Sequence, residues 1–278
     1  MMVAVVLAVV AAACIGTADF IAGVVGKRDP SSAALTVAYI AILLAAAPVA
    51  AAANGSPTAE GLGWGVAMGL PWVIGIFALA RGMAEGQVVL VVPIAGVLSA
   101  AIPVAIDLIA GTRPGPIVGA GVVVGIIAVA MTGMGSGNQG SRSAAWSVTH
   151  GAVAGITTGL SLVIIDQASA SGLWPLVAGA AVATVAMVSA TALRGYSLVP
   201  PRPAVAPAVA MGLLVAGAFV AMLLAFPRGS LTVVAVIVSQ YPAVTILLAA
   251  ALWQQRPRGI QYAGVGLTMV AVALIAVG

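Results

Sequence analysis

The chain repeats itself, and the repeat constrains its fold more than any other feature. Shifted by 143 residues, Arg113-Pro114 falls on Arg256-Pro257, Ala120-Gly121-Val122 on Ala263-Gly264-Val265, and Ala128-Val129-Ala130 on Ala271-Val272-Ala273. At the same offset Gly86, Val91, Ile94 and Ala100 fall on Gly229, Val234, Ile237 and Ala243. Alanine and valine coincide easily in an apolar chain. Arg-Pro pairs and glycines in fixed register do not. A two-copy hydrophobic chain is the pattern of many secondary transporters, whose substrate site lies between the copies.

The solvent of such a chain follows from its charge. Hydrophobic residues make up 63% and charged residues 6%. A soluble domain carries about 25% charged residues, so this surface is built for lipid. In lipid every backbone polar group needs an internal partner, which leaves helices or closed barrels. The apolar runs are helix-length and do not alternate as barrel strands do. An all-α polytopic membrane protein is therefore expected.

Ten spans fit the length, near 3–25, 33–53, 62–80, 88–110, 116–134, 146–166, 173–193, 204–226, 231–253 and 260–277. Short turn-forming connections join them, such as Lys27-Arg28-Asp29-Pro30 and Asn54-Gly55-Ser56-Pro57. The expected organisation is a first repeat at 1–134, a polar linker at 135–145 and a second repeat at 146–278. Five spans per copy is an odd number. The second copy then enters from the opposite side, giving two inverted five-helix repeats. Lys27, Arg28, Arg81, Arg142, Arg194, Arg202, Arg256 and Arg258 share one side, against Arg113 and Arg228 on the other. The positive-inside rule places the larger group in the cytoplasm and both termini outside.

Ionisable and polar groups inside these spans are the candidate site. Asp19 lies about five turns into the first span, where a charge is costly unless it meets a cavity or a partner. It is a candidate proton or substrate carboxylate, or a helix-locking residue beside Gly16 and Gly23. Asp166 ends the sixth span, one to two turns after Thr157, Thr158 and Ser161. The first and sixth spans are repeat-mates, so Asp19 and Asp166 are candidates to face one axis, although the offset places Asp19 on Leu162. Asp107, ending the fourth span, is expected to pair with Arg113 at the interface. Ser239-Gln240-Tyr241-Pro242 interrupts the ninth span, where proline frees a backbone carbonyl. The offset partners are Gly96-Val97-Leu98-Ser99, so the polar cluster exists in one copy only. Pro71-Trp72 sits in the middle of the third span, away from the usual interfacial belt. Trp72 suits a pocket wall that stacks on a substrate, or plain core. Pro93 and Pro103 are expected to kink the fourth span, and His150 to lie at the interface near Arg142.

Other signals are weaker. Gly65-x-x-x-Gly69, Gly115-x-x-x-Gly119, Gly121-x-x-x-Gly125, Gly151-x-x-x-Gly155 and Gly155-x-x-x-Gly159 permit close helix approach, within one chain before between two. Gly135-Ser136-Gly137-Asn138-Gln139-Gly140 spells a dinucleotide fingerprint without its strand–helix setting and reads as linker. One cysteine, Cys14, and one histidine, His150, leave no metal-ligand cluster, so neither metal nor cofactor is expected. Basic residues are too scattered for nucleic acid.

Three blocks resemble a known family. They are Gly16-Thr17-Ala18-Asp19-Phe20-Ile21-Ala22-Gly23 with its short basic loop, Ser171-Gly172-Leu173-Trp174-Pro175-Leu176, and Arg228-Gly229-Ser230-Leu231-Thr232-Val233-Val234-Ala235 running into Tyr241-Pro242-Ala243-Val244-Thr245. Together they resemble a bacterial EamA-type member of the drug/metabolite transporter superfamily. The resemblance implies ten helices in two repeats and a central cavity lined by the first, third, fourth, sixth, eighth and ninth. It also implies export by alternating access from a bacterial inner membrane. Relatives often keep both termini in the cytoplasm, opposite to the charge count.

The function expected is a secondary transporter exporting small metabolites or drugs, amino acids or amines first, with protons as the coupling ion. Thr17, Asp19, Trp72, Thr158, Asp166, Ser239, Gln240 and Tyr241 are the candidate substrate or proton residues. Pro71, Pro93, Pro103 and Pro242 are the candidate hinges. The expected partners are a small-molecule substrate, the bilayer and protons, with the chain a monomer or homodimer. The competing classes are a non-transporting assembly subunit and an intramembrane enzyme. No Walker motif, His-Glu-x-x-His run or nucleophile motif supports ATP use or hydrolysis.

Overall fold

In the computed structural model the chain is helical throughout, with no strand among the described residues. Those are all residues except 29–32, 54, 55, 86, 87, 135–142, 254–257 and 278. At helical positions 23, 24, 26–28, 80, 83, 84, 88, 89, 92, 93, 133, 249 and 253 the backbone alone is described. The linker fingerprint and Arg142 lie outside the described residues.

The first half holds α1 (Met2–Arg28), α2 (Ala33–Ala52), α3 (Ala59–Glu85), α4 (Val88–Ile109) and α5 (Pro116–Gly133). The second holds α6 (Ala144–Ala168), α7 (Trp174–Leu193), α8 (Arg202–Ala225), α9 (Leu231–Val238), α10 (Tyr241–Trp253) and α11 (Gly259–Val277). By length and composition eight segments are able to cross a membrane, with Leu231–Leu252 counted as one. Ile94–Ile109 and Pro116–Thr132 are shorter apolar helices. Large apolar side chains cover the outside, among them Leu44, Val185 and Met269, each about two-thirds exposed. Water does not tolerate such a coat, and lipid does. The chain is a polytopic all-α membrane protein.

Local chemistry sets the helix ends. Ser143 Oγ accepts from Trp146 N at 3.3 Å to open α6, and Ser230 Oγ accepts from Val233 N at 3.3 Å to open α9. Pro116 and Pro175 sit in the first turns of α5 and α7, where a missing N–H costs nothing. Gly195 follows α7 with φ +70°, a conformation that favours glycine.

The two halves interlock. α1 packs on α8, and α6 packs on α3. α2 packs on α8, and α7 on α3. α1 meets α9 and α10, and α6 meets α4. α2 pairs with α7, and α5 with α11. Small residues permit these approaches. A Cβ on Gly155 would stand 2.6 Å from Ala95 O, and one on Gly151 2.8 Å from Val91 O, so α6 lies almost against the α4 backbone. Gly69 is as close to α7, and Gly121 to α11. Gly115 and Gly119 have nothing within 4 Å, so that motif makes no packing contact here. Polar ties cross the same seams. Thr36 and Thr191 share a hydroxyl hydrogen bond of 3.1 Å, Thr184 Oγ1 donates to Tyr39 O at 3.1 Å, and Gln261 Nε2 donates to Thr132 O at 3.3 Å.

The centre is α9. All eight of its residues are buried, and α1, α4, α5 and α6 surround it.

Candidate functional site

The ninth span is broken where its polar residues fall. α9 ends at Val238, Ser239 and Gln240 form a turn, and α10 begins at Tyr241. Tight three-residue bonds bridge the gap: Gln240 N donates to Ile237 O at 3.1 Å and Ala243 N to Gln240 O at 3.0 Å. Pro242 has no N–H with which to continue the helical ladder.

Gln240 holds the break in place. Its Nε2 donates to Gly125 O and to Val236 O, each at 3.1 Å, and its Oε1 accepts from Thr268 Oγ1 at 3.0 Å. Both amide protons are thereby used, and α5, α9 and α11 are tied through one side chain. Ser239 Oγ is buried, with the residue 2% exposed, and has no hydrogen-bond partner among the described residues.

α1 lies directly against this break. A Cβ on Gly16 would stand 2.5 Å from Tyr241 O and 2.6 Å from Val244 Cβ. Thr245 Oγ1 donates to Gly16 O at 2.9 Å, fixing the register. Asp19 follows Gly16 by three residues, nearly one turn, so it lies on the same side of α1. It is exposed, and its carboxylate is close enough to the Tyr241 phenol to act on it electrostatically. Among the described residues no hydrogen bond or ion pair holds that carboxylate. Thr17, one face round, turns its hydroxyl to Ala13 O at 2.7 Å.

The other candidates lie elsewhere. Trp72 is half-buried between Tyr39 and Phe219, with ring centroids 5.4 and 4.3 Å away, so α2, α3 and α8 meet on an aromatic trio. Tyr39 Oη is buried there without a partner among the described residues. Pro71 lies inside α3 beside Trp72, and α4 runs unbroken through Pro93 and Pro103. The side chain of Pro93 lies outside the described residues. Thr158 is exposed on α6, on the side that meets Gly75 of α3.

Asp166 sits two residues from the end of α6. Its Oδ2 accepts from Gln167 Nε2 at 3.0 Å, and Asp107 is near enough to influence it. Asp19 and Asp166 thus have different neighbours and do not meet. The expected Asp107–Arg113 pair is corrected. Asp107 is buried, and its Oδ2 accepts from Thr232 N at 2.9 Å, while Arg113 is exposed. A carboxylate at a helix N-terminus satisfies an orphan N–H and meets the positive end of the dipole. Sequence reasoning missed this cap because donor and acceptor lie 125 positions apart. Asp107→Leu is expected to destabilise the fold by about 1–3 kcal/mol, the cost of a buried unpaired donor. Asp107→Asn keeps an acceptor and should lose less. Thermal unfolding in detergent compares the two, and equal losses would remove the cap as the reason.

His150 stacks on Trp146 with centroids 3.7 Å apart, and its Nδ1 lies 3.0 Å from Trp146 O.

Residues 145–277 match the EamA-like transporter family. No curated protein matches the chain. Among solved structures, one crystal structure has a TM-score of 0.79 at 17% identity, covering 98% of this chain and 95% of its own. At that identity the likeness speaks for the fold alone.

Proposed function

We propose, from the EamA-like character of residues 145–277, that this chain is a secondary carrier of the drug/metabolite transporter type. It crosses a bacterial inner membrane ten times in two inverted five-helix repeats, 1–134 and 146–278, joined by the polar segment 135–145. The exchange of contacts between halves supports this arrangement, since α1 on α8 answers α6 on α3, and α2–α7 and α5–α11 pair each element with its counterpart.

The observation that carries the reading is the packing of α1 on the helix break, with Gly16 against Tyr241 O and Asp19 nearly one turn further along the same side. An accessible carboxylate on a helix of the first copy lies beside the helix break of the second. Broken helices between repeats are where transporters place substrate and coupling-ion groups. The carrier exports small metabolites or drugs by alternating access, and the Asp19 carboxylate suits an amine or amino acid. Protons couple through Asp19. The chain works as a monomer or homodimer without a cofactor.

Extracellular metabolite profiling of a bacterial host tests the reading. Cells expressing the chain are expected to accumulate one class of amine or amino acid outside, several-fold above cells carrying an empty vector. Unchanged media across a panel of supplied amines and amino acids, with the chain confirmed in the membrane, would count against export.

A further inference from the structure

A cavity of about 400 Å³ opens away from the Asp19–Tyr241 region, between α3, α6 and the end of α7. Its two ends differ in chemistry. Arg81, Arg194, Thr149 and His150 stand at one end, and Val73, Ile74, Phe77 and Val153 form the floor. Arg81 lies in the last turns of α3, Arg194 directly follows α7, and Thr149 and His150 lie in the second turn of α6. All four therefore sit at the same end of the bundle. Val73 is eight residues before Arg81, so the floor reaches about 12 Å deeper into the apolar zone at 1.5 Å per residue. The floor is also open sideways, with Ile74 51% and Val153 37% exposed.

The basic groups are positioned but, among the described residues, incompletely neutralised. Arg194 lies over the Phe77 ring, 5.5 Å from its centroid, which holds the guanidinium above the apolar floor. Arg81 Nε is 3.7 Å from Glu85 Oε1, a loose contact with Arg81 65% exposed. Glu85 offers one negative charge against two guanidiniums. The guanidinium fork suits phosphate oxygens. A free anion would need the basic rim but not an apolar, laterally open floor. A detergent-like tail would need the floor but not the arginines.

We propose that this groove binds an anionic phospholipid, with its phosphate between Arg81 and Arg194 and an acyl chain along Ile74 and Val153. The inference rests on the multi-pass membrane reading and not on transport. The groove opens at the end of the bundle where the sequence concentrates its basic residues, the face expected toward the cytoplasmic leaflet and its anionic lipids. The lipid lies across the α3–α6–α7 seam, so it ties together elements of both halves.

The test is retention of lipid by the purified full-length chain, read by native mass spectrometry after exchange into mixed micelles of phosphatidylglycerol and phosphatidylcholine. Phosphatidylglycerol is expected to be retained preferentially. Arg81→Gln with Arg194→Gln should cut that preference about 30-fold, from about one basic contact each. Thermal unfolding in phosphatidylcholine alone should be unchanged by the pair. Val153→Trp fills the exposed floor without touching a charge and should lower retention too, which keeps the test decisive if the double variant fails to fold. Inorganic phosphate and glycerol 3-phosphate form the other arms. Failure of both to displace the lipid supports a lipid site, and displacement by either at millimolar concentration overturns it in favour of a soluble anion. Equal retention of the two lipids, or retention unaffected by both variants, also overturns it. None of these readings depends on export.

Discussion

Asp19→Asn is expected to lower export by about tenfold or more, equivalent to roughly 1.4 kcal/mol of lost coupling or binding, with the protein still reaching the membrane. The amide matches the carboxylate in size, so the packing of Gly16 on Tyr241 is kept. It cannot take up and release a proton, and it cannot neutralise an amine. A locking role would require Asp19 to be held by donors on α1 or its neighbours, and among the described residues none holds it. An accessible carboxylate without such a partner inside an apolar helix is otherwise a pure cost to folding. Export of the metabolite found by profiling, measured at equal membrane levels of the two chains, decides the matter. Loss of proton-driven flux with retained folding supports Asp19 as the coupling group. Full activity of Asp19→Asn refutes it. A variant that keeps downhill exchange but ignores the proton gradient would separate coupling from substrate binding.

The all-helical character was legible because composition and run length leave no other solution in lipid. So was the break in the ninth span. Ser239 competes for backbone hydrogen bonds and Pro242 lacks an N–H, each a local reason for a helix to break, and the turn falls on Ser239 and Gln240. What stayed hidden was long-range. Gln240 reaches Gly125 on α5 and Thr268 on α11, partners 115 and 28 positions away, and no local pattern points to them. Asp107 read as an interfacial partner of Arg113 because Arg113 is its near neighbour in sequence. Its actual donor, Thr232 N, is brought in by α9. Helices that are apolar all round carry no stripe to say which face turns inward. Hence Trp72 left pocket and core equally open, while the structure sets it between Tyr39 and Phe219. The Arg81–Arg194 groove escaped for the same reason, since its walls come from three helices.

Gly16→Ala should produce the second large effect, and its sign is opposite to that of an ordinary glycine replacement. In an open helix position alanine is favoured over glycine by about 1 kcal/mol, through backbone entropy. Gly217, exposed within α8, is such a position: an added methyl there would have nothing within 4 Å, and Gly217→Ala should be neutral or stabilising. At Gly16 the methyl would meet Tyr241 O at 2.5 Å and Val244 Cβ at 2.6 Å. Neither is the free end of a flexible side chain, so α1 must move away from α10. Overpacking of this kind costs about 1–3 kcal/mol, enough to lower the unfolding midpoint by several degrees in a chain of this size. The displacement also stretches the hydrogen bond from Thr245 Oγ1 to Gly16 O and carries Asp19 away from Tyr241. Export should therefore fall in Gly16→Ala at matched membrane level, although the carboxylate is intact. Unfolding midpoints of the two variants in one detergent, beside the native chain, give the direct comparison. Equal midpoints would mean that α1 and α10 are not in close contact in the membrane, and the placement of Asp19 at the helix break would fall with it. A lowered midpoint with normal export would keep the packing and separate it from function, leaving the Asp19 carboxylate indifferent to its distance from the break.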